Sequence, residues 1–170
     1  MKARLSREDG TTLVEVIIAS AILVTLMAGL MSLSSLAIAT TENQGHLAAR
    51  TTEYAQDKME QLLALAYGDT TSNTTVFPAT TTGGTGLAIG GSSDPSVVAT
   101  GYVDWLDVSG NLLASAGATA PTGWYYKRVW QISSAATNLK QITVTTIVAY
   151  SVARAQIQQS TVTALKTFPF

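Results

Sequence analysis

The 170-residue chain contains no cysteine. Disulfide scaffolds, thiolate zinc sites, iron–sulfur clusters and cysteine nucleophiles are therefore excluded. It has a single histidine, His46, which rules out a multi-histidine metal site and leaves little for acid–base chemistry. Charge is scarce: Asp, Glu, Lys and Arg make up 12% of the residues and the formal net charge is −1, against about 25% charged residues in an ordinary soluble domain. With no basic excess, the chain is not expected to bind nucleic acid. Proline is absent before Pro78, so nothing in the first part of the chain forces a helix to stop. No nucleophile–base pair or metal cluster stands out, and the sequence predicts neither an enzyme nor a bound cofactor.

What is abundant is apolar residues, and they are concentrated. From Val16 to Thr41 no residue is charged, and the run reads VIIASAILVTLMAGLMSLSSLAIATT. About 20 apolar residues suffice to cross a bilayer core as a helix. Lys2, Arg4 and Arg7 lie upstream, and the first charge downstream is Glu42. Positive charge ahead of a span predicts a cytoplasmic N-terminus and an exported C-terminal part. The run is too long for the core of a secretory signal peptide, and its end imitates the small-residue cleavage pattern poorly. Glu15 sits at its leading edge. One reading is an interfacial carboxylate favoured by the helix dipole; another is a functional carboxylate, because ionisable groups in apolar segments are costly.

The string Gly10-Thr11-Thr12-Leu13-Val14-Glu15-Val16 follows a short basic leader and precedes the apolar run. It resembles the class III signal of type IV pilins and pseudopilins, whose usual form is G-F-T-L-x-E. The resemblance implies that a prepilin peptidase cuts after Gly10, that Thr11 becomes the new N-terminus and is N-methylated, and that Glu15 becomes the fifth mature residue. Thr11 stands where Phe is common. Burying either an amine or a carboxylate alone in a dry filament core is costly. Glu15 of one subunit against the Thr11 amine of a neighbour removes both penalties and sets axial register. Further along, the segment from Arg50 to Leu62 looks like the A-x-x-K-x-E-x-L helix segment of minor pilins and minor pseudopilins. YKRVWQIS and LKQITVTTIVAY are similar to the closing strands of PilV-type minor pilins and of type II secretion pseudopilins.

The remaining chain reads in three parts. Ala48, Thr52, Ala55, Met59, Leu62 and Ala66 share one helical face, and Gly68 is a stop signal, so a helix is expected from about Thr12 to Tyr67. Its residues 12–40 are taken as transmembrane and 41–67 as amphipathic. Residues 68–100 are rich in Thr, Ser and Gly and read as a variable loop; GGTGLAIGG lacks the Lys-Ser/Thr of a phosphate loop. Residues 101–170 read as an antiparallel sheet. YVDWLDV-SGN-LLAS is a hairpin, and Asp104, Asp107 and Asn111 are assigned to turn chemistry in preference to calcium. Trp124, Tyr126, Trp130 and Ile132 are placed on one strand face with a snorkelling Arg128. Lys127 and Arg128 among aromatics give thin support for gripping single-stranded DNA. Ile142, Val144, Thr146, Val148 and Tyr150 fall on one face of the next strand, and AQIQQSTVTALKT is a third, less regular strand.

The expected architecture is α+β. A leader (1–10) is followed by a long helix (11–67) whose second half packs on a small antiparallel sheet, a pilin-like fold. The resemblance implies a structural minor pilin-like subunit, held in the bacterial inner membrane and then incorporated into, or priming, a type IV pilus. Its implied partners are the prepilin peptidase, other pilins or pseudopilins through the N-terminal helix, the inner-membrane assembly platform, and membrane lipid before assembly. A minor pseudopilin of type II secretion is the alternative. A membrane-anchored extracytoplasmic binding domain is a more distant one.

Overall fold

The computed structural model describes residues 12–70, 85–115, 117–150 and 157–168. The chain divides between Thr41 and Glu42 into two compact units. One helix, α1 (Leu13–Ala64), runs through both, and six strands follow: β1 (Gly90–Gly91), β2 (Val103–Leu106), β3 (Leu112–Ser115), β4 (Tyr126–Ala136), β5 (Leu139–Val148) and β6 (Gln159–Thr167).

In the first unit α1 is exposed along nearly its whole length. Every residue from Thr12 to Ala39 is open to the surroundings, including Ile17, Ile22, Leu26, Leu30 and Leu36, which are more than half exposed. This stretch is long and apolar enough to cross a membrane. Its hydroxyl groups do not spoil that character. Thr25 donates to the Ala21 carbonyl, Ser32 to Ala28, and both Thr40 and Thr41 to carbonyls one turn back. These four hydroxyls are thus satisfied within their own helix, as an apolar surrounding requires.

In the second unit α1 changes character. Thr51, Tyr54, Ala55, Lys58, Met59 and Leu62 are buried at spacings that wind one stripe down the helix. The stripe differs from the expected face. Tyr54 and Lys58 join it, Thr52 is only half-buried, and Ala66 is exposed. Helix geometry also ends earlier than Tyr67. The Asp69 carboxylate accepts a hydrogen bond from the Ala66 amide at 2.9 Å, and the Asp69 amide donates to the Ala66 carbonyl. This local turn takes an N–H that a continuing helix would spend on an i−4 carbonyl.

The sheet is antiparallel, in the order β3-β2-β4-β5-β6, with β1 also paired to β4. The β4–β5 hairpin turns over Thr137 and Asn138, and Asn138 has φ 61°, a left-handed conformation that Asn tolerates better than most residues. One sheet face carries Trp130, Ile132, Ile142 and Val144, which form a core with Ala55, Met59 and Leu62 of α1. At one end Tyr54, Leu106, Tyr126 and Val148 cluster separately, with Tyr54 edge-on to Tyr126 at 4.9 Å. The opposite face carries Val103, Trp105 and Val129, partly covered by Val98, Ala114 and Trp124.

Several strand assignments are corrected. Trp124 lies before β4 begins and packs edge-on against Trp105 on the opposite face, because strand alternation does not extend through the preceding turn. Tyr150 lies past the end of β5 and is exposed. β6 is not irregular: it pairs with β5 from Gln159 to Thr167 with no register shift. Part of the expected loop is ordered against the sheet. Leu87 is fully buried, Gly90 and Gly91 pair with Ile132 and Gln131, and the Tyr102 hydroxyl donates to the Ala88 carbonyl. A side chain at Gly91 would run into the Trp130 carbonyl and the Tyr102 ring. The glycine-rich string therefore serves close backbone approach.

Candidate functional sites

The first candidate is the helix N-terminus. Gly10 and Thr11, the expected cleavage and methylation positions, lie outside the described residues, as do Lys2, Arg4 and Arg7. Thr12 and Glu15 are described. The Glu15 amide donates to the Thr12 carbonyl at 3.0 Å and to Thr12 Oγ1 at 3.3 Å, and the Val16 amide also reaches the Thr12 carbonyl. Thr12 is thus the N-cap, and Thr12-Leu13-Val14-Glu15 has the S/T-x-x-E form of a capping box. The sequence carried this signal openly. Glu15 lies in the first turn, is exposed, and makes no ion pair among the described residues. Its carboxylate therefore stands where the helix dipole favours a negative charge and where a cation from outside the chain can reach it.

The second candidate was not foreseen as a unit. Asp104 of β2 is fully buried and meets two cations: Lys58 Nζ of α1 and Arg128 Nη2 of β4 each lie 2.9 Å from its Oδ2. The Ser115 hydroxyl of β3 donates to Oδ1 at 2.7 Å. Arg128 also reaches the helix, donating from Nη1 to the Tyr54 carbonyl and, at 2.6 Å, to Asp57. The Lys58 ammonium stands over the Trp130 ring, 4.1 Å from its centroid. Four elements are thus tied together by one carboxylate. Arg128 is 2% exposed and does not snorkel, because the buried Asp104 and the Tyr54 carbonyl hold its guanidinium inside the fold. Asp104 belongs to this cluster, not to a turn. Asp107 and Asn111, by contrast, do make the β2–β3 turn: Asp107 accepts from the Ser109 amide and from the amide and side chain of Asn111.

Electrostatics follow from the geometry. Burial opposes ionisation of Asp104, but Lys58, Arg128 and the Ser115 hydroxyl outweigh it, and its carboxyl is held below the usual carboxylate range. Burial is the largest influence on Lys58 and pulls its ammonium below the usual lysine value, with Arg128 acting in the same direction and Asp104 against it. Lys127 takes a different path from Arg128: its Nζ donates to the Pro95 carbonyl at 2.6 Å on the opposite face, near Trp105 and Trp124.

Chemically, the cluster joins helix to sheet. Among the described residues no group of three His, Asp or Glu side chains is placed to hold a metal ion. Comparison of the chain with protein-family models, with curated protein sequences and with solved structures finds no match.

Proposed function

We propose that this chain is a structural subunit of the minor pilin type, cleaved after Gly10 by a prepilin peptidase and assembled through its N-terminal helix into a type IV pilus. The observation that carries the reading is the division within α1. Its first part is apolar and exposed on all sides, and its second part is a buried stripe beneath an antiparallel sheet. A chain built this way suits a life anchored in lipid followed by a life among sister helices. The string Gly10 to Val16 supports the processing step. Before assembly the protein sits in the bacterial inner membrane, with its leader cytoplasmic and its sheet extracytoplasmic, the orientation its basic leader favours. In the filament, Glu15 pairs with the Thr11 amine of a neighbour.

N-terminal sequencing or mass analysis of protein extracted from membranes tests the first step. Thr11 should be the terminal residue, and Gly10→Val should leave the precursor uncut. Intact Met1 in cells with an active prepilin peptidase would overturn the reading. Glu15→Leu tests the second step: membrane levels and cleavage should be retained, while the subunit content of sheared filaments falls. Normal content at matched membrane levels would show that the amine–carboxylate pair is not needed.

A further inference from the structure

Three buried hydrogen-bond donors at the helix–sheet interface are unspent. Arg128 Nε, Trp130 Nε1 and Thr146 Oγ1 have no hydrogen-bond partner among the described residues, although their side chains belong to residues only 2%, 4% and 0% exposed. Arg128 and Thr146 are direct cross-strand partners on β4 and β5, so their side chains are neighbours on one face. Trp130 is two residues further along β4, on the same face. Folded proteins rarely leave one buried polar group unpaired, and here three belong to neighbouring residues on one face of the sheet.

Their chemistry is one-sided. Arginine and tryptophan N–H groups only donate; the threonine hydroxyl donates or accepts. The charge around them has the same bias. Two buried cations, Lys58 and Arg128, face one fully buried carboxylate, Asp104, while the Asp57 side chain is 53% exposed. Donors and positive potential are present, and an acceptor is what they call for. Among the buried residues of its row Thr146 is the polar one: Ile142, Val144 and Val148 on the same face of β5 are all apolar.

We propose that Arg128 Nε and Thr146 Oγ1 hold a one-atom hydrogen-bond acceptor, a water oxygen or a chloride ion, inside the helix–sheet interface, with Trp130 Nε1 available as a third donor. The bound acceptor fixes the plane of the guanidinium. In that plane the two Nη atoms reach the Tyr54 carbonyl, Asp57 and Asp104, so the acceptor helps to set where α1 docks on the sheet. The inference does not depend on the pilus reading.

Thr146→Val in the full-length chain, held in detergent micelles, is the test, because valine keeps the shape and removes the hydroxyl. If Thr146 shares an acceptor with Arg128, thermal unfolding followed by tryptophan fluorescence should have its midpoint lowered by about 5 °C, the scale expected for one lost buried hydrogen bond in a domain of this size. An unchanged or raised midpoint would overturn the proposal, since removing an idle buried hydroxyl is neutral or stabilising. The two sources separate in the wild-type protein. A midpoint that climbs with chloride at constant ionic strength, with an anomalous bromide peak beside Arg128 Nε in crystals grown in bromide, identifies the halide. A midpoint indifferent to chloride, with oxygen-sized density at the same place, identifies water. High-resolution density with nothing bound there would overturn both.

Discussion

Ile22 and Ile132 are the same residue in two different surroundings. Ile22, in the first half of α1, is 56% exposed; Ile132, on β4, is 1% exposed. The contrast extends to the regions around them. From Thr12 to Ala39 no side chain is buried, whereas beyond Glu42 the helix supplies one wall of a core shared with the sheet. Local helix formation is common to both halves, so backbone propensity does not explain the difference. What differs is where the apolar surface goes. The second half buries its stripe within the chain, and the first half leaves its apolar surface exposed. The two halves should therefore respond to substitution in opposite ways.

The largest effect is expected at the buried charge cluster. Asp104→Ala strips the carboxylate from Lys58 and Arg128 and leaves two buried cations, a loss on the order of 3–5 kcal/mol. Urea unfolding followed by the tryptophans should show it, while membrane fractionation of the full-length variant stays unchanged. A loss below about 1 kcal/mol would show that the cluster does not hold the helix to the sheet.

Next comes the isoleucine pair itself. Ile132→Ala should cost roughly 2–5 kcal/mol in the same measurement, because it opens a cavity in a packed core. Ile22→Ala should shift the sheet's stability by no more than about 0.5 kcal/mol. Ile22→Arg should reverse the picture, impairing membrane insertion by roughly 2.5–3.5 kcal/mol on insertion scales and leaving the sheet's unfolding midpoint alone. Equal sensitivity at the two isoleucines would break the comparison.

Acid should act on the second region. Asp104 is depressed below the ordinary Asp value by Lys58, Arg128 and Ser115 against the opposing effect of burial. Its contribution is therefore fully present above about pH 4, the unfolded value, and is lost as the pH falls through the lower folded value. Unfolding midpoints should hold between about pH 5 and 8 and drop below about pH 4. Asp104→Asn should flatten that drop. A midpoint that falls already between pH 7 and 5 would point to a different titrating group.

The smallest effect is expected at the start of α1. Thr12→Ala removes the cap on the Glu15 amide and should fray the first turn by about 0.5–2 kcal/mol, visible as faster amide exchange at Val14 to Val16. The sheet should not sense it.

Much of this molecule was legible in the residues. The uncharged run fixed the exposed apolar helix, because a bilayer-length segment without charge has few other uses. Period-two alternation gave the helix-facing residues of β4 and β5. The hairpin of β2 and β3 followed from Ser109-Gly110-Asn111 between apolar runs. The capping box at Thr12 and Glu15 was present in the string but is a local signal easily eclipsed by the family resemblance around it. The short pairing of Gly90 and Gly91 with β4 was not legible, since glycine carries no side-chain pattern to read.

The sequence by itself determined most of the elements and the contrast between them: a long helix uncharged from Val16 to Thr41, then a strand-rich region of Thr–Val alternation. These follow from local rules, as charge, hydropathy and period act within a few residues. Only the tertiary structure decided which charged residues are inside. Asp104 sits among turn-forming residues, Arg128 among aromatics and Lys58 among helical polar residues, and nothing in any one stretch names the other two. They meet because β2 pairs with β4 and α1 lies across both, and a charge enters a core only when partners from distant segments arrive with it.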